Sequence, residues 1–87
     1  MPESIQDIIN QLNQIKKNTD EGAQYAAYAA TTMTNLSSQI LARTRGSATG
    51  AQAANIMQQA KTELDGVANS LRSASSQMQS YIGELRI

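Results

Sequence analysis

At 87 residues the chain has room for one domain, in a size range where a single core is marginal. Hydrophobic residues make up 40%, much of it alanine, with no Trp, Phe, Cys or His, and with Tyr25, Tyr28 and Tyr81 as the aromatics. Seven basic and seven acidic residues cancel, which excludes the basic footprint of a nucleic-acid binder, and the lack of Cys excludes disulfides and thiolate metal sites.

Helix signals begin at Ser4, an N-cap with Asp7 three residues on and Glu3 beside it. From there apolar and small residues recur at alternating intervals of three and four: Ile5, Ile8, Leu12, Ile15, Thr19, Gly22, Ala26, Ala29, Met33, Leu36 and Ile40. This is a heptad repeat, with position a starting at Ile5 and position d at Ile8. It predicts a helix over 4–44. The seam is large at both ends and small in the middle, from Thr19 to Ala29, a waist that a facing helix can approach closely.

The break Thr44-Arg45-Gly46-Ser47-Ala48-Thr49-Gly50 follows, near the midpoint. Gly46 is placed to end the first helix in the left-handed conformation, and Arg43 and Arg45 complement its C-terminal dipole. Thr49 and Gln52 form a Thr-x-x-Gln capping box, predicting a turn over 45–49 and a second helix over 50–86. A link this short makes the helices antiparallel neighbours.

The second arm repeats the rhythm through Ala53, Met57, Ala60, Leu64, Val67, Leu71, Ala74, Met78, Tyr81 and Leu85. At about 1.5 Å per residue the arms match, each roughly 50 to 60 Å long. The predicted fold is all-α: one helical hairpin over 1–87, its helix–helix seam carried by these a and d positions. A weaker stripe follows position e, with Ile9, Ala23 and Ala30 in the first arm, Ala68 and Ile82 in the second, and Ile56 on the other flank. That widens the apolar face beyond what one partner helix covers. It predicts docking on another hairpin as a four-helix bundle or a larger helical assembly. Ile9, Ile56, Ile82, Leu85 and Ile87, with Tyr25 and Tyr28 off the seam, are the expected intermolecular contacts.

Residues able to perform chemistry are sparse. Without histidine the chain lacks the commonest general base and metal ligand, and its acids are isolated or adjacent, as in Asp20-Glu21. No glycine-rich loop follows a strand, so the Gly46 and Gly50 pair reads as helix punctuation. The expectation is a non-enzymatic protein with no catalytic residue, cofactor or metal. No apolar run approaches the ~20 residues that cross a bilayer. Met1-Pro2-Glu3-Ser4 lacks a basic region leading into an apolar core, so no cleavable secretory signal is expected.

A hairpin of this size with a glycine-containing central turn resembles the Trp-X-Gly family of small proteins exported by type VII secretion systems. The family's turn corresponds to Thr44-Arg45-Gly46, with the glycine present and threonine in the tryptophan's place. Its C-terminal Tyr-x-x-x-Asp/Glu signal corresponds to Tyr81-Ile82-Gly83-Glu84, with the acid one residue earlier. The resemblance implies a bacterial protein acting as a dimer with itself or a related hairpin. It also implies a role as secreted substrate, adaptor or chaperone of a larger effector. The location it implies is outside the cell or on its surface; cytoplasmic residence is the alternative. A competing class is a self-assembling subunit of a helical filament or tube, similar in shape to secretion-needle subunits. The apolar finish from Tyr81 to Ile87 favours that class. A coiled-coil adaptor is a third reading.

Overall fold

The computed structural model describes residues 4–87; Glu3, expected to support the first helix end, lies outside them. The chain is an all-α hairpin, with α1 at Ile5–Arg43 and α2 at Ala48–Leu85, and no strand among the described residues. The two helices pack along their length into a rod of 65 × 17 × 17 Å.

Ser4 caps α1. Its hydroxyl accepts from the Asp7 backbone N–H at 3.1 Å, and the Asp7 carboxylate accepts from the Ser4 N–H at 3.4 Å, closing a capping box. At the other end the Thr44 hydroxyl donates to the Ile40 carbonyl at 2.6 Å, and Gly46 turns the chain at φ 80°. Only a residue without Cβ takes that conformation at no steric cost.

The second helix starts earlier than the Thr49 capping box predicts. Ser47 is its N-cap, accepting from the Gly50 N–H at 3.1 Å, and Thr49 lies within the first turn of α2. The reason lies in the link. The Ser47 N–H donates to the Thr44 carbonyl at 2.9 Å, so the chain re-enters a helix as soon as Gly46 has turned it. Gly50 belongs to that helix and is buried against the Thr44 side chain.

The core is a narrow line of small side chains closed by isoleucine at one end. Ile9, Ala23, Ala30 and Ser37 of α1 are buried at seven-residue multiples, and Ala54, Ala68, Ser75 and Ile82 of α2 likewise. These are the e positions of both helices. Ala26, at an a position, joins them. Alanine and serine at the contact let the backbones approach closely, and at the waist Leu71 Cδ1 lies 3.5 Å from where a Cβ on Gly22 would sit.

Register is set by a buried hydrogen bond from the Ser37 hydroxyl to the Ala54 carbonyl at 3.1 Å. Heptad steps from that pair bring Ala23 level with Ala68 and Ile9 level with Ile82. The expectation that Ile9 and Ile82 contact another hairpin is thereby corrected: both are buried inside this one, with Ile82 wholly so. The two e positions occupied by lysine keep their stems along the seam. Their ammonium groups leave it to meet acids one turn on, Lys16 with Asp20 at 3.0 Å and Lys61 with Asp65 at 2.7 Å.

Candidate interaction face

If e and a close the hairpin, the d positions must flank it. Successive helix residues stand about 100° apart, so d lies to one side of the e/a contact and b and f to the other. Two antiparallel helices are related by a two-fold axis normal to their common plane. The d flanks of α1 and α2 therefore emerge on the same broad side of the rod.

That side is apolar from end to end. Ile8, Leu12, Gly22, Met33, Leu36 and Ile40 of α1, and Met57, Leu64, Leu71, Met78 and Leu85 of α2, are half-buried there, with their outer sides in solvent. Ile15, Val67 and Tyr81, at d positions, are 51%, 49% and 50% exposed. Ile5 is more exposed still, beside Ile8. The opposite broad side carries the b and f positions: Gln6, Asn10, Asn13, Lys17, Gln24, Thr31, Thr34 and Ser38 in α1, with Asn55, Gln58, Thr62, Asn69, Arg72 and Gln79 in α2. Leu41 is the one large apolar residue on it, half exposed.

The residues expected to form the hairpin's own seam thus divide. Of them, Ala26 is buried within the hairpin, and the a-position residues Leu12, Met33, Ile40, Met57, Leu64, Leu71 and Met78 are half-buried on its apolar side. Ile15, Val67 and Tyr81 do not close the hairpin and belong to its outer face. Tyr25 and Tyr28 stand on the edge of α1 away from α2, 74% and 75% exposed, at mid-length. Ile56 is exposed on the corresponding edge of α2, and Ile87 is fully exposed beyond its end. Of the turn residues, Arg45, Gly46 and Thr49 are exposed and Thr44 is half-buried.

Sequence reasoning missed Ser37, Ala54 and Ser75 as core residues. The signal was present in the recurrence of small residues at intervals of seven, Ala23, Ala30, Ser37 and Ala54, Ala68, Ser75. It was masked by the larger residues at the a positions three residues further on, Met33, Ile40, Met57, Leu71 and Met78.

One polar group bridges the helices on the far side of the seam. The buried Ser75 hydroxyl, then the Lys16 ammonium, hydrogen-bond to the Asp20 carboxylate and hold its pKa below the usual carboxylate value of 3.8. Among the described residues no three His, Cys, Asp or Glu side chains gather where a metal ion could sit, and no pocket is enclosed. No described helix is long and apolar enough to cross a membrane.

Comparison with known protein families, with characterised proteins and with solved structures finds no match to this chain.

Proposed function

We propose that this protein is a non-enzymatic protein–protein interaction module that works as a pair of hairpins. One observation carries the reading: an apolar face runs the length of the rod, with Ile15, Val67 and Tyr81 half exposed on it. Contiguous apolar surface on this scale marks an interface. Area supports the same reading. The free hairpin exposes 6262 Å², whereas a compact protein of 9.4 kDa exposes roughly 5,000 Å². The excess exceeds the ~800 Å² that each partner contributes to a standard stable interface.

The partner is another copy of this chain or a related hairpin. Two arms of nearly equal length about a single left-handed glycine support the Trp-X-Gly-like reading. In that role the dimer is a small substrate or adaptor of a type VII-like export route, acting outside the cell or at its surface, alone or with a larger effector. A particle of twice 9.4 kDa, constant over concentration in light scattering, is the expected result. A stable 9.4 kDa particle at all concentrations would remove the proposal.

A second reading, a filament subunit, is favoured by the apolar open end, where Ile5 and Ile87 are exposed. It predicts open-ended growth with concentration, abolished by removing Leu85 to Ile87.

A further inference from the structure

We propose that hairpins also associate edge to edge, with Tyr25 and Tyr28 on the outer edge of α1 seated at Gly66 on the outer edge of the next copy's α2. The inference rests on the filament reading above and names the contact by which copies add to one another.

The first observation is a glycine that the hairpin does not need. Gly66 stands at the middle of Ala48–Leu85, exposed on the edge of α2 that faces away from α1. Glycine within a helix is less stable than alanine. Gly46 is accounted for by its left-handed backbone, Gly50 by Thr44, and Gly22 by the nearness of Leu71. A Cβ on Gly66 would meet no atom within 4 Å, so nothing inside the hairpin calls for glycine there. Gly83 is equally open but lies in the last turn of α2, where a helix frays. The gap at Gly66 has its use outside the hairpin.

The second observation is height along the rod. The register that sets Ala23 level with Ala68 also sets Tyr25 level with Gly66, two residues further along α1 and two back along α2. It likewise sets Tyr28 level with Glu63. A copy displaced sideways, with its turn at the same end, therefore presents Tyr25 to Gly66 and Tyr28 to Glu63. The two large exposed rings of one edge meet the gap in the other, and the Tyr28 hydroxyl can donate to the Glu63 carboxylate. The neighbouring levels pair Glu21 with Ser70 and Asn18 with Ser73, so no like charges meet.

The rod measures 17 Å in both transverse directions, so the helix pair coils as it runs and neighbouring rods touch over a limited length. Contact centred on Tyr25 and Gly66 falls near mid-length, and remote pairs such as Asp7 with Glu84 swing apart. Because the two edges differ and lie on opposite sides, the contact is heterologous. Each copy that joins leaves an edge free for the next. The apolar broad face takes no part and stays available for pairing.

The test uses the full chain carrying both Asn18→Cys and Ser73→Cys. These exposed positions lie on opposite edges of a rod 17 Å wide, too far apart to join within one chain. A disulfide needs Cα atoms about 4.4–6.8 Å apart. Oxidation with copper phenanthroline should give a ladder of disulfide-linked multimers on a non-reducing gel. Replacing Ser73→Cys by Ser80→Cys moves the thiol about 10 Å along α2, at 1.5 Å per residue, and should abolish the ladder. Adding Gly66→Gln to the first pair fills the gap with a better helix former. It should raise Tm by about 2–5 °C yet remove both the ladder and the growth of scattering mass with concentration. Absence of the ladder, its survival in Gly66→Gln, or an equal ladder through Ser80→Cys overturns the edge contact. If the wild-type mass still grows with concentration, the filament reading stands without that contact. A wild-type mass constant at twice 9.4 kDa or below removes the filament reading as well.

Discussion

The side chain of Thr44 fills the space into which any residue but glycine at position 50 would project its Cβ. The threonine is held there by its hydroxyl bond to the Ile40 carbonyl, so it closes α1 and wedges the start of α2 in the same contact. Position 50 is thus glycine for proximity, whereas Gly46 is glycine for its left-handed backbone.

Gly50→Ala should therefore destabilise the hairpin, although alanine is the better helix former by about 1 kcal/mol. Overpacking of this kind costs about 1–3 kcal/mol, and each kcal/mol lowers the Tm of a domain this size by about 4–8 °C. Thr44→Gly in the Gly50→Ala background should recover part of the loss. Strict additivity of the two changes in a thermal double-mutant cycle would show that the contact does not matter.

Ser37→Ala should cost about 0.5–1.5 kcal/mol, the usual worth of a buried hydrogen bond. That bond to the Ala54 carbonyl spans 17 residues of sequence and ties the two helices in register. Ser37→Val leaves the bond unmade and adds bulk where the backbones are closest, so it should cost more. Urea denaturation of both variants checks the order.

Charge on the apolar face should act on assembly and leave the fold intact. Ile15→Asp or Val67→Asp is expected to reduce the scattering mass from about 19 kDa to 9.4 kDa with helical circular dichroism preserved. Leu41→Asp supplies the control. Leu41 is equally exposed but lies on the polar side, and its substitution should leave the mass unchanged.

Acid should loosen the link between α1 and α2 at Asp20. The Ser75 hydroxyl and the Lys16 ammonium stabilise the carboxylate form, so its folded pKa lies below 3.8. The sign follows from linkage. The contribution is complete above that ordinary value and is lost as pH falls through the lower folded value. Asp20→Asn should flatten this part of the stability profile below pH 4, measured as Tm against pH. An unchanged acid limb in the variant would assign the dependence to other carboxylates.

Much of the architecture was legible in the residues. Alternating three- and four-residue intervals, Ser4 with Asp7, and Gly46 define two matched helices and one reversal, because helix periodicity and end chemistry are local properties. The second cap was not legible. Both Ser47 and Thr49 carry a hydroxyl able to cap, and the bond from the Ser47 N–H to the Thr44 carbonyl favours the earlier start.

Amino-acid order by itself determined that each helix carries an apolar stripe more than one position wide. It did not determine which edge of that stripe closes the hairpin, since adjacent heptad lines share one period. Tertiary packing decided this in favour of Ala23, Ala30, Ser37, Ala54, Ala68 and Ser75, because the smallest side chains allow the nearest approach of two backbones. The isoleucines, leucines and methionines of the neighbouring a and d lines were displaced toward the outside. The surface best suited to a partner is in this way a consequence of where the alanines lie.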